Sequence, residues 1–326
     1  MADKDPIVTH VFTADPSAHV FNGKLYVYPS HDRETDIKDN DNGDQYDMND
    51  YHVFSMDSVG GPVTDHGVAL KQEDIPWVSK QLWAPDAAEK NGKYYLFFPA
   101  RDKEGIFRVG VAVADKPEGP FAPEPEPIKG SFSIDPATFV DDDGQAYLYF
   151  GGIWGGQLQC WSTGKFVQEN YSKMEAQEGP ALCAKVAKLS EDMTSLTSDV
   201  QDVVILDEEG KPLLSSDHDR RFFEAAWMHK YKGKYYFSYS TGDTHFLCYA
   251  TSDSPLGPFQ YGGRILEPVI GWTTHHSIVE FKGKWYLFYH DTSLSGGVNH
   301  LRCVKIREIV YDEQGKISLA EPQPKV

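Results

Sequence analysis

Five times along the chain a glycine turn leads into a run of aromatic and aliphatic residues. The runs are HVFNGKLYVYPSHD from His19, AEKNGKYYLFFPARD from Ala88, FVDDDGQAYLYFGG from Phe139, HKYKGKYYFSYSTG from His229 and EFKGKWYLFYHDTS from Glu280. Asn-Gly, Asp-Gly and Lys-Gly turns between alternating runs are hairpin signals. The turn glycines are Gly23, Gly92, Gly144, Gly233 and Gly283. A second pattern follows several copies: YHVFSMDSVGGP, VGVAVADKPEGPF and CYATSDSPLGPF each read as strand, polar turn and Gly-Pro. Each unit is therefore several short strands. Five units in 326 residues leave about 65 residues apiece, room for a four-stranded blade with its loops. Helical periodicity is nearly absent, with one short helix expected near residues 188–196. The pattern predicts an all-β chain folded as a single five-bladed β-propeller over residues 1–326, in preference to a β-sandwich.

In a propeller the innermost strand of each blade faces a central channel, so residues at the start of those strands converge on one end of it. Carboxylates recur at that place. Asp15 precedes its turn glycine by 8 residues (23 − 15), Asp135 by 9 (144 − 135) and Glu224 by 9 (233 − 224). The prolines after Asp15 and Asp135 are expected to hold both acids in extended geometry. Glu224 stands in RRFFEAAWMHK, among Phe222, Phe223 and Trp227, where a carboxylate costs free energy unless something uses it. Clustered carboxylates have a natural use in cleaving a glycosidic bond with inversion: one activates water and another, kept protonated, donates to the leaving oxygen. Apolar neighbours and a nearby negative charge both raise a carboxyl pKa. The aromatic residues supply the first for Glu224, and Asp135 is expected to supply the second.

The chain carries 31 basic and 49 acidic residues, a net charge of −18, which argues against nucleic acid or an anionic membrane as partner. No run approaches 18 apolar residues, so no transmembrane helix is expected. MADKDPIVTH has neither a basic start nor an apolar stretch, so no signal peptide is expected and a cytoplasmic location is. Cys160, Cys183, Cys248 and Cys303 show no CxxC spacing and read as buried free thiols.

Further candidates surround the acids. Trp83 in LWAPD suits a sugar-stacking platform, and Trp154 in GGIWGG sits on a glycine-rich loop where a bulky ring serves a ligand better than a core. Arg302 in NHLRCVKI alternates with apolar residues, so an inward guanidinium needs carboxylates or sugar hydroxyls as partners. KDNDNGDQYDMND is not a calcium loop, because Lys38 and Asn49 fall on ligand positions. It reads as a polar loop walling the site, with His31 and Asp32 at its start as candidate substrate contacts. Glu178 in EGPAL is a possible pocket carboxylate, but no Gly-Lys-aromatic hairpin follows it.

Taken in order, ADPSAHVFNGKLYVY, LWAPDAAEKNGKYYLFF, SIDPATFVDDDGQAYLYF, FFEAAWMHKYKGKYYFSYSTG and GWTTHHSIVEFKGKWYLFYH resemble glycoside hydrolase family 43 through nearly the whole chain. The resemblance implies a five-bladed propeller and single-displacement inversion on arabinose- or xylose-containing glycans. It implies Asp15 as general base, Glu224 as general acid and Asp135 as the residue that orients the acid and tunes its pKa. It implies that Arg302 binds the sugar beside Asp15. It also implies a calcium ion held by His275, 8 residues before Gly283, with a shell of waters. The expected substrates are xylo- or arabino-oligosaccharides. An interval of 89 residues separates Gly144 from Gly233, against 52 and 50 for the intervals on either side, and residues 31–50 form a second excess. Long loops there would close the pocket around one terminal sugar, as an exo-acting β-xylosidase or α-L-arabinofuranosidase requires. An endo-arabinanase on the same fold would need an open groove, and a non-catalytic sugar-binding propeller would have lost one of the acids.

Overall fold

The computed structural model describes residues 5–172 and 179–321. Five antiparallel sheets stand around an axis. Blade 1 holds β1 (Phe12–Phe21), β2 (Lys24–Asp32), β3 (Asp50–Met56) and β4 (Val63–Lys71). Blade 2 holds β5 (Asp86–Lys90), β6 (Lys93–Arg101), β7 (Phe107–Ala114) and β8 (Ala122–Pro123). Blade 3 holds β9 (Ala137–Val140), β10 (Ala146–Phe150), β11 (Lys185–Lys188) and β12 (Gln201–Asp202). Blade 4 carries an extra outer strand, β13 (Ile205–Leu206), which pairs in parallel with the last of β14 (Glu224–Tyr231), β15 (Lys234–Ser240), β16 (Leu247–Ser252) and β17 (Phe259–Leu266). Blade 5 holds β18 (His276–Phe281), β19 (Lys284–Asp291), β20 (Cys303–Tyr311) and β21 (Ile317–Leu319). The inner strands β1, β5, β9, β14 and β18 lie side by side in that order, and β18 returns to β1.

The repeated turn does what its sequence demands. Asn22-Gly23, Asn91-Gly92, Lys232-Gly233 and Lys282-Gly283 each hold both residues at positive φ, between 48° and 79°. Each joins directly paired residues such as Phe21 and Lys24. Two-residue turns of this hand match the twist of the strands they join. The helix expected near residues 188–196 is not formed. Leu189 bridges Leu196, and Asp192 accepts bonds from the Thr194 N–H and from Ser190 Oγ. Such local side-chain bonds compete with helix formation. The helical residues described are short 3₁₀ turns.

Why the second strand of each blade is so rich in aromatic residues follows from the packing. Tyr26 and Tyr28 of β2 pack towards blade 2, and Leu25 and Val27 pack towards blade 5. In β15, Tyr235, Phe237 and Tyr239 join a core shared with blade 3, whereas Tyr236 joins one shared with blade 5. Every blade is sandwiched between two others, so both faces of its inner strands are apolar. One hydrophobic layer fills each of the five seams between adjacent blades.

Each blade is built from one contiguous segment, so side-chain packing and a few hydrogen bonds close the ring. The Ile7 N–H donates to the Val304 carbonyl at 2.9 Å, and the Thr13 N–H to the Arg302 carbonyl at 2.9 Å. Phe288, fully buried, lies in the layer between blades 5 and 1 with Phe54, Phe281 and Val304. Phe288→Ala should destabilise the protein by about 3–5 kcal/mol through loss of burial and the cavity left behind, measured by urea denaturation. A change below about 1 kcal/mol would show that this seam does not hold the ring.

Candidate active site

At one end of the channel a cavity of about 250 Å³ opens between the blades. Each blade contributes one side chain from the same place ahead of its hairpin: Asp15, Trp83, Asp135, Glu224 and His275 all line it. Trp83 stands 9 residues before Gly92, so blade 2 puts an indole where three other blades put a carboxyl group. Expected extended geometry at the Asp-Pro pairs is not what the chain adopts. Asp15 and Asp135 sit at φ 49° and 56°. Pairing in β1 shifts between Ala14 and Ser17, and in β14 between Glu224 and Trp227, where Ala225 has φ 63°. These bulges turn the acids out of the ladder and towards the axis. Asp tolerates the left-handed region better than most residues, which moderates a cost of about 1–3 kcal/mol per strained residue.

Asp15 is almost fully buried and held from three sides. Its Oδ1 accepts from Arg302 Nη1 at 2.9 Å, and its Oδ2 accepts from Ser30 Oγ at 2.7 Å. Its N–H donates to His290 Nδ1 at 3.0 Å. Burial lowers His290 to about 3, so the ring is neutral and its Nε2–H faces Thr273. Burial alone would raise the Asp15 pKa, but the Arg302 charge leads the opposing effects and brings it to about 2. Arg302, 2 % exposed, is itself fixed by Asp32. Nε and the backbone N–H donate to Asp32 Oδ2 at 2.8 and 2.9 Å, and Nη2 donates to Oδ1 at 2.7 Å. Asp32, expected as a substrate contact, is thus the anchor of the arginine.

Glu224 behaves oppositely. Burial first, then the charge of Asp15, raise it to about 8 despite Arg302. Asp135 and Glu224 act on each other. Burial and then the Glu224 carboxyl push Asp135 itself well above the usual range. What Asp135 does hold is the bulge, since its Oδ2 accepts the Ala225 N–H at 2.7 Å, one residue from the acid. Of the three aromatic residues expected around Glu224, Phe223 alone borders the cavity. Phe222 packs on Phe237 and Tyr239 in blade 4, and the Trp227 indole donates to the Ile278 carbonyl at 3.1 Å. Trp272, Ile134 and Ile153 supply the remaining apolar wall. They were not singled out in the sequence, where nothing distinguishes them from core residues.

Trp83 lines the cavity, 9 % exposed, with its Nε1–H donating to the Tyr46 carbonyl at 2.8 Å. Trp154, at φ 55°, lies against Trp272 and Phe223 on the opposite wall. Gly152 lets the backbone just before Trp154 pass close to the site, because a Cβ there would stand 2.5 Å from Ile134 and 3.4 Å from Glu224 Cβ. The loop of residues 33–49 forms another wall, through Asp39, Asn40, Tyr46 and Met48. It is tied to blade 5 by Asn299 Nδ2 donating to Asp39 Oδ2 at 2.7 Å, and to the long blade 3 loop by Tyr171 Oη donating to the Asp41 carbonyl at 3.0 Å. His31 is not brought into the cavity. Its Nδ1 pairs with Asp50 Oδ1 at 2.6 Å outside it. Glu178 lies outside the described residues.

His275 reaches the cavity as its spacing implied, whereas His276 turns away to Ser238 at 2.6 Å. His275 Nδ1 accepts the His276 N–H, and burial keeps the ring neutral. Its buried Nε2 has no hydrogen-bond partner among the described residues and stands 3.7 Å from Asp135 Oδ2. With Nδ1 accepting in a neutral ring, the proton sits on Nε2, so holding a cation there requires the opposite tautomer, with the bond from the His276 N–H given up.

The sequence profile of "Glycosyl hydrolases family 43" matches residues 4–317. This chain belongs to glycoside hydrolase family 43. It is 70 % identical over 325 residues to a xylosidase/arabinosidase 43A of Humicola insolens, covering 98 % of this chain and 99 % of that protein. Among solved structures it resembles a family 43 β-xylosidase/α-arabinofuranosidase from a compost microbial metagenome, in complex with xylotriose and in a calcium-free form. That likeness has a TM-score of 0.95 and 64 % identity over 96 % of this chain and 97 % of the other. A GH43_1 enzyme from Xanthomonas citri complexed with xylotriose matches at TM-score 0.92 and 54 % identity, over 97 % and 93 %. The family fits the site: two carboxyl groups in one cavity, one held ionised and one held protonated, are what glycoside hydrolysis uses.

The opposite shifts of Asp15 and Glu224 set the expected pH behaviour. The value of kcat/KM should fall as pH rises through about 8, when Glu224 loses its proton. No acid limb should appear above the pH at which the protein unfolds, because Asp15 stays ionised down to about 2. Because the Glu224 pKa is raised, its contribution to stability is fully present below the ordinary 4.5 and is lost as pH rises to about 8. Glu224→Gln should remove that decline in a series of denaturant melts. Asp32→Ala should cost about 3–5 kcal/mol of stability by leaving part of the buried Arg302 charge unpaired, and should lower kcat/KM as well. Unchanged kcat/KM in a folded Asp32→Ala protein would show that Arg302 needs no anchor.

Proposed function

We propose that the protein is an exo-acting, inverting glycosidase that releases terminal β-D-xylose, and α-L-arabinofuranose as a second substrate, from xylan- or arabinan-derived oligosaccharides. The observation that carries this reading is the cavity itself. At about 250 Å³ it lies below the usual range of roughly 300–1,000 Å³ for pockets that take a drug-sized ligand, so it suits one pentose ring. Loops tied to one another surround it, which supports removal of single residues from a chain end. The names of the close relatives and the xylotriose held by two structural neighbours support the substrate class.

In this reading Asp15 accepts a proton from a water as the water's oxygen attacks the anomeric carbon. Glu224 donates its proton to the glycosidic oxygen as that bond breaks, and the anomeric configuration inverts. A carboxylate near 2 is a weak base while Arg302 holds it. A sugar hydroxyl that draws the guanidinium away from Asp15 would raise its basicity when substrate is bound. Asp135 positions the acid through the Ala225 N–H. We assign His275 Nε2, in the tautomer that carries its proton on Nδ1, as a ligand to a calcium ion, whose remaining ligands would be waters, since calcium prefers oxygen. Bound there, the ion would add positive charge beneath the sugar.

Asp15→Asn should abolish turnover and leave the fold intact. Glu224→Gln should do nearly the same on xylobiose and be milder on aryl glycosides, whose leaving groups need less protonation. Proton NMR of the first sugar released should show the inverted anomer, and retention would sink the mechanism. Xylotriose should yield xylose from the first minutes. Early release of mixed oligosaccharides from arabinan would instead indicate endo action. Chelation should lower activity and melting temperature, and added calcium should restore both. Activity and melting temperature indifferent to chelator, with no metal by elemental analysis, would remove calcium from the proposal.

A further inference from the structure

Outside the cavity, blade 1 carries a group of residues that hydrolysis does not use. His31 ends β2, and Asp50 and His52 begin β3. Ser30 pairs with Tyr51 across the two strands, so His31 faces Asp50, and His52 follows on the same face. One ligand atom from each of the three lies within 4.8 Å of the others, and all three residues are half-buried. Among the described residues no other group of His, Cys, Asp and Glu side chains meets that spacing. The His31 and His52 rings are 4.6 Å apart.

A second layer of contacts supports the first. His52 Nδ1 meets Asp65 Oδ1 at 3.3 Å, and that oxygen is fixed by the Gly67 N–H at 2.7 Å. Asp65 Oδ2 meets His10 Nε2 at 2.7 Å. A carboxylate on Nδ1 selects the tautomer that leaves Nε2 free to coordinate, the arrangement found behind metal-bound histidines.

We propose that His31, Asp50 and His52 bind a divalent transition-metal ion of the zinc type, and that this ion clips the base of the loop walling the cavity. Two imidazoles and one carboxylate suit such ions, whereas calcium and magnesium prefer oxygen. Ligands about 2.0–2.2 Å from zinc stand roughly 3.4 Å apart, so binding requires the His31–Asp50 pair, now 2.6 Å apart, to open slightly and the wider spacings, up to 4.8 Å, to close by about 1 Å. The ion replaces the proton shared by His31 and Asp50, and water completes its shell. Residues 33–49 run from one side of this group to the other and supply Asp39, Asn40, Tyr46 and Met48 to the cavity. Clipping their base limits the freedom of that wall without touching the substrate.

The test uses the chelator-treated full chain, titrated with zinc chloride by calorimetry and with cobalt(II) by visible absorption. Wild type and His275→Ala should share a zinc site with a Kd of micromolar or below. His31→Ala and His52→Ala should weaken it by at least tenfold and lose the cobalt bands, and Asp65→Asn should weaken it by roughly 10–100-fold. At a hundredfold excess over Kd, zinc should raise the melting temperature by roughly 4 °C in wild type and not in His31→Ala. Circular dichroism of each variant separates loss of the site from loss of the fold. Equal zinc affinity and equal cobalt spectra in wild type and folded His31→Ala would overturn the site. So would wild type that binds no zinc below millimolar concentration, or zinc binding lost only in His275→Ala.

Discussion

A guanidinium buried in the seam between the last blade and the first governs the rest of the site. Arg302 is 2 % exposed, and a charge so placed is tolerable only when its donors are matched by anions. Asp32 takes both sides of the fork, and Asp15 takes the remaining Nη1. The same contact therefore closes the ring, aligns Asp15 and keeps it ionised. It also produces asymmetry, because ionised Asp15 then helps to keep Glu224 protonated across the cavity. Two carboxyl groups in one pocket acquire opposite roles from the position of a single arginine.

The propeller makes this arrangement repeatable. Five inner strands start at one end of the channel, and each delivers one side chain to the cavity: Asp15, Trp83, Asp135, Glu224 and His275. Aromatic residues on both faces of the second strands keep the blades from shifting, so strain at Asp15 and Asp135 is borne by a rigid surround. Chemistry is thereby separated from stability. The seams hold the ring, and the strand starts are free to carry polar groups.

Substrate selection rests on a different layer. The blade 1 loop, the Ile153–Gly156 turn and the segment around Trp272 and Thr273 line the cavity, and the blade 1 loop is tied to Asn299 and Tyr171. Irregular loop segments thus surround a cavity that the blades alone would leave bare.

Much of this was legible before any coordinates, and for a physical reason. Hairpin turns need Gly after Asn, Asp or Lys, and strands buried on both faces need aromatic and aliphatic runs, so five blades and the offsets of Asp15, Asp135, Glu224 and His275 are written locally. Arg302 was legible too, because an arginine among alternating apolar residues must find an anion. What local sequence cannot hold is which surfaces meet. Asp32 looked like a substrate contact until Arg302, 270 residues away, was seen against it. Trp272 and Ile134 carry no local mark that they would line a cavity. The left-handed backbone at both Asp-Pro pairs ran against the local preference; at Asp15 it accompanies the bulge in β1, which the pairing with β2 imposes and the dipeptide does not. The division of the carboxyl groups into ionised and protonated forms was likewise settled only by the assembled site, since burial and charge act through space and not along the chain.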